Sequence, residues 1–147
     1  MIQNQALLAG VVGLTLAQVI KFVTVLVKHG KIDVRTLVTT GGMPSSHTAL
    51  VMGLTTTVGI LEGVHSTMFD VSLVFAFIVM YDAAGVRQAA GRQARVLNKI
   101  VEDLQHSLSF QESHLKELLG HTPREVIGGA ILGVAVAFAI NALNVVR

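Results

Sequence analysis

A chain of 147 residues that is 52% hydrophobic, only 14% charged, free of cysteine and of net charge +2 is one apolar domain. Soluble domains carry about 25% charged residues, so this balance excludes an ordinary soluble domain and points to an integral membrane protein. The absence of cysteine excludes disulfides, thiolate metal sites and a cysteine nucleophile, and despite a pI near 9.3 the net charge gives no basic excess for nucleic acid.

The first element is a nearly continuous apolar run over Ala6–Val27, interrupted by Gln18 and Lys21. It matches the roughly 20 residues that cross a bilayer. A signal peptide would carry its charge before the run and small residues after it. Here the first residues are uncharged, and Lys28, His29 and Lys31 follow the run, which predicts a retained helix.

Gly41-Gly42-Met43-Pro44-Ser45-Ser46-His47 leads into a second apolar run, Thr48–Leu61. The plain reading is a helix start with Pro44 near the first turn and a serine cap. The functional reading is an anion site, because N–H groups and the dipole at a helix N-terminus favour a phosphate. Two serines add hydrogen bonds there, and His47 adds a proton that moves near neutral pH.

A third run spans Val71–Tyr81, and Ala83, Ala84 and Val86 can prolong it. Between Arg95 and Leu119, Val96, Leu97, Ile100, Val101, Leu104 and Leu108 recur at helical spacing against polar residues, predicting an amphipathic helix with a break near Ser107–Ser113. Next, Thr122 as N-cap, Pro123 as first helical residue and Glu125 three after the cap form a capping box before the last run, Val126–Val146. That box leaves His121 unexplained. Gly129-x-x-x-Gly133 is a small-x-x-x-small pattern for close helix contact. The expected fold is all-α: a single membrane-embedded domain over residues 1–147, with about four transmembrane helices and a cytoplasmic amphipathic helix.

Lys28, Lys31 and Arg35 follow the first helix, Glu62 and Asp70 bound an acidic turn, and Arg87, Arg92, Arg95, Lys99, Lys116 and Arg124 follow the third helix. The positive-inside rule then places both termini outside a cell membrane and the clusters around His47 and His121 together on the cytoplasmic face. Each cation also has a plain reading. Lys21 and Lys28 can snorkel to the interface, and Arg92 and Arg95 can meet lipid headgroups.

Three segments in order carry a family resemblance: Gly-Gly-Met-Pro-Ser-Ser-His (41–47), Tyr-Asp-Ala-Ala-Gly-Val-Arg (81–87) and Gly-His-Thr-Pro-Arg-Glu-Val (120–126). From Lys21 to about Gly133 the chain resembles the divergent branch of the type 2 phosphatidic acid phosphatases, small membrane proteins related to acid phosphatases and vanadium-dependent haloperoxidases. The wider superfamily has three motifs. Its first, Lys-x6-Arg-Pro, is matched by Lys21 and, with lysine for arginine, Lys28. Its second, Pro-Ser-Gly-His, is matched by Pro44, Ser45 and His47, with Ser46 in the glycine place. Its third, Ser-Arg-x5-His-x3-Asp, is matched by His121 and Glu125, with Leu115 in the arginine place and Lys116 beside it.

The resemblance implies that His121 attacks phosphorus, that His47 protonates the leaving oxygen and that Glu125 orients His121. It also implies that Lys21, Lys28 and Ser45 bind the phosphate, and Ser46 and Lys116, beside those motif positions, are added as substrate-binding candidates. Arg87 is added as a guanidinium from another helix. No metal or other cofactor enters this scheme. The partners expected are the bilayer and a lipid or isoprenoid phosphate, and the sequence leaves room for a homo-oligomer. The rival expectation is a non-catalytic membrane protein that binds anionic headgroups or a partner protein through the same residues.

Overall fold

In the computed structural model residues 5–30, 42–105 and 120–145 are described. Among them every regular element is an α-helix: α1 (Gln5–His29), α2 (Ser46–Glu62), α3 (Thr67–Ala84), α4 (Val86–Gln105) and α5 (Pro123–Val145). The four apolar runs become α1, α2, α3 and α5, each extended at its N-terminus by residues before the run. Ser45 caps α2 and Ser66 caps α3. Pro44 lies just before the cap of α2 rather than in its first turn, because Ser45, in extended conformation, already fills the capping position.

Among the described residues three stretches are long and apolar enough to cross a membrane: Gln5–Val27, Thr67–Glu102 and Pro123–Leu143. The fourth helix of the bundle, α2, has 17 residues and so rises about 25 Å, a little less than the ~30 Å hydrocarbon layer. It packs against α1, α3 and α5, so protein surrounds it.

Burial is inverted relative to a soluble bundle. Small and polar residues lie inside, among them Ala9, Ala17, Ala49, Ala137, Lys21, Thr48 and Thr57, while Leu7, Val19, Phe75, Phe77, Ile131 and Phe138 face outward. In water so much exposed apolar surface would drive association. In lipid it is solvated, and helices cohere through close packing and hydrogen bonds instead.

That packing centres on α2. A methyl group placed on Gly133 would lie 2.5 Å from the Ala49 carbonyl oxygen and 2.8 Å from Gly53 N, and one on Gly129 would strike the Ser45 carbonyl. On the other side, a methyl on Gly13 would meet the Ala49 carbonyl at 2.9 Å, and one on Gly53 would meet the Ala9 carbonyl at 2.9 Å. The face of α5 thus runs Gly129, Gly133, Ala137, Asn141, and that of α1 runs Ala9, Gly13, Ala17, Lys21. Both place small residues four apart against the backbone of α2. Asn141 Nδ2 closes the α5 seam by donating to Thr57 Oγ1 at 3.2 Å, and Thr55 Oγ1 donates to the Ser72 carbonyl of α3 at 3.1 Å.

The amphipathic helix differs from expectation at its start. It begins at Val86, not near Arg95, because Gly85 keeps a right-handed helical backbone. Gly85 N still donates to the Tyr81 carbonyl at 2.8 Å, and Ala89 N to the Gly85 carbonyl at 2.9 Å. The helix therefore resumes at once. The expected break near Ser107–Ser113 lies outside the described residues.

Gly133→Ala is expected to destabilise the bundle by about 1–3 kcal/mol, the range for overpacking a tight interface. Thermal unfolding in detergent checks this, and an unchanged midpoint would show that α5 does not approach α2 so closely.

Candidate active site

At one end of the bundle the first turns of α2 and α5 meet the last turn of α3 and the side of α1. Ser45 N donates to the Glu125 carbonyl at 2.9 Å, and His121 N donates to the Ala83 carbonyl at 2.8 Å. Two helix N-termini, each with a partial positive charge, are thus bonded into one corner.

The start of α5 is the capping box read from sequence. Glu125 N donates to Thr122 Oγ1 at 3.4 Å, and Thr122 N donates to Glu125 Oε2 at 3.1 Å. The same Oε2 lies 3.0 Å from His121 Nδ1. A carboxylate only accepts, so Nδ1 carries the proton toward it, and the lone pair of a neutral ring is then on Nε2. His121 is 1% exposed and is the largest fully buried side chain. The ring of His47 is edge-on to it, with centroids 6.0 Å apart and planes at 63°.

Ser45 is fully buried. Its Oγ accepts from Thr48 N at 3.3 Å and from Thr48 Oγ1 at 3.0 Å. Lys21 does not snorkel. It is 3% exposed, and its Nζ donates to Ser46 Oγ at 3.4 Å. Among the described residues no ion pair holds this ammonium. A lysine enters the bundle here because it continues the small-residue face of α1, which leaves a slot beside α2.

The structure therefore brings together His121, Glu125, His47, Ser45, Ser46 and Lys21. Lys28 falls in the last turn of α1 and Arg87 in the first turn of α4, but their side chains lie outside the described residues, as does Lys116 together with Leu115. Two contributors escaped the sequence reading. Thr48, three residues after the cap, was readable as its partner by spacing. The Ala83 carbonyl carries no sequence signal, since any residue supplies one.

The chain matches the Divergent PAP2 family over residues 2–136. It belongs to that family. The match begins well before Lys21, where the motif resemblance starts. The chain is also 38% identical to the "Uncharacterized membrane protein YuiD" of Bacillus subtilis (strain 168), over 95% of this chain and 96% of that one. No solved structure matches. Family membership, the membrane-protein relative and the apolar helices together make this a multi-pass, PAP2-related membrane protein.

A buried charge without its counter-ion destabilises the ligand-free protein. Lys21→Met is therefore expected to raise the thermal midpoint in detergent, by roughly 2 °C or more for each kcal/mol relieved. A midpoint that falls would make Lys21 a structural residue.

Proposed function

We infer that the protein is a membrane phosphatase that hydrolyses a lipid or isoprenoid phosphate monoester or diphosphate through a phosphohistidine. One observation carries this reading: a buried histidine oriented by a carboxylate, with a second histidine 6.0 Å away ring to ring. Binding an anion needs cations and N–H donors, whereas two imidazoles suit proton and phosphoryl transfer.

In the first step the Nε2 lone pair of His121 attacks phosphorus and the bond from phosphorus to the leaving oxygen breaks. Protonated His47 gives its proton to that oxygen. Glu125 stabilises the imidazolium character that develops on His121. In the second step His47, now neutral, takes a proton from water as the water oxygen attacks phosphorus. The P–N bond breaks, phosphate leaves and both histidines return to their starting states. Lys21, Lys28, Arg87 and Lys116 supply positive charge to the phosphoryl oxygens, and the backbone N–H groups near Ser45 and Ser46 at the start of α2 supply fixed donors. A site at the ends of membrane helices suits a substrate whose tail stays in the bilayer, and the lysine and arginine distribution supports a site on the cytoplasmic side of the cell membrane.

The second reading, a non-catalytic protein that binds anionic headgroups or a partner, is favoured by Leu115 standing where the superfamily's third motif has arginine.

His121→Ala is expected to abolish both phosphoenzyme and product, measured by rapid quench with radiolabelled lipid phosphate. His47→Ala should slow turnover about 10²–10⁴-fold with an alkoxide leaving group, and far less with a nitrophenolate, which needs little protonation. Glu125→Gln should lower activity with little loss of folding, because the amide oxygen still serves the cap. Full activity in His121→Ala would leave the binding reading ahead.

For the orientation, a cysteine in place of Val64 should be labelled from outside the cell and one in place of Lys31 only from the cytoplasm. The reverse pattern would invert the topology.

A further inference from the structure

We propose that Ser46 is a positioning residue that acts on the bound phosphate through Lys21: its hydroxyl fixes the direction of the buried ammonium. The proposal rests on the phosphatase reading above.

Lysine is a point charge on a flexible four-carbon stem with three donors and no preferred geometry. To aim it, the protein must supply an acceptor. Lys21 lies on the face of α1 that otherwise carries Ala9, Gly13 and Ala17, none of which offers a side-chain acceptor. Its stem passes close to Gly42, where an added methyl would sit 3.8 Å from Lys21 Cδ. The hydroxyl of Ser46, itself 4% exposed, receives the ammonium at 3.4 Å. This is the single hydrogen bond of Lys21 among the described residues.

That hydroxyl makes no other hydrogen bond among the described residues. Ser45 is the N-cap of α2 and takes the helix N–H of Thr48, so Ser46, the first helical residue, is not needed for capping. The superfamily's second motif has glycine at this place, and a glycine has no side chain with which to hold a lysine. Once Ser46 Oγ accepts from Lys21, its own proton points elsewhere, and two N–H groups of the ammonium remain for an anion. The serine therefore does two things: it restrains the cation and keeps it hydrogen-bonded when no anion is present.

A double-mutant cycle on the full chain in detergent tests this, with inorganic phosphate as the probe and calorimetry as the readout. Ser46→Ala is expected to weaken phosphate binding about tenfold, the scale for losing a hydrogen bond to a charged group. In a Lys21→Gln background the same change should cost less than about twofold, since coupled residues are non-additive. Ser46→Thr, which keeps the hydroxyl, should bind nearly as the parent does. If Ser46→Ala does not fold, Ser46→Cys replaces it, being of similar size and a weak acceptor. An equal loss in both backgrounds overturns the proposal and makes Ser46 a direct phosphate ligand, with the phosphatase reading intact. No loss in Ser46→Ala also overturns it. A parent protein that binds no phosphate overturns the phosphatase reading and the proposal together.

Discussion

The structure depends on how closely α1 and α5 approach the backbone of α2. Among the described residues the buried apolar side chains are alanines and a few valines, because the bulkier apolar residues face outward. What holds the helices together is contact at glycine and alanine, where the missing side chain lets one helix rest on the carbonyls of the next. The same contact builds the site. Gly129 brings the first turn of α5 against Ser45, which sets Glu125 and His121 beside His47. The Ala9, Gly13 and Ala17 face draws α1 in far enough for Lys21 to reach Ser46. A larger residue in either seam would separate the site before it unfolded the bundle.

Glu125 joins folding to chemistry through one atom. Its Oε2 accepts from the backbone of Thr122 and from His121 Nδ1, while its carbonyl accepts from Ser45 N. The carboxylate that begins α5 thus also selects the nitrogen His121 presents, and its backbone ties that histidine to the turn that carries His47. A capping box elsewhere would be worth about 1 kcal/mol of helix stability. Here its geometry also fixes the orientation of an imidazole.

Much of this was legible in the sequence, for identifiable reasons. The four apolar runs are set by bilayer thickness, a constraint that needs no tertiary information. The capping box is local, so Thr122, Pro123 and Glu125 could be placed from spacing alone, and His121 stood out as what the box did not use. Gly129 and Gly133 were readable as a contact face but not their partner, because the small residues of α2 that receive them follow no stricter pattern than those of α1. The start of α4 was missed because the apolar periodicity is clear only from Val96 onward, and only the backbone angles show that the helix already resumes after Gly85. The fate of Lys21 was likewise undetermined. Snorkelling and burial use the same residue at the same depth, and the choice falls to the neighbouring helix face.

The register between α1 and α2 carries one more consequence. Lys21 sits opposite the first turn of α2, yet α1 runs on to His29. Eight further residues rise about 12 Å past that turn. The ammonium therefore lies below the end of α1 and buried in the bundle, where salt screens a charge much less than it does at an open surface. Mobile ions quiet a lysine on an open surface, but they reach this one poorly. Its field should accordingly persist at salt concentrations that silence the exposed Arg92 and Lys99 along α4.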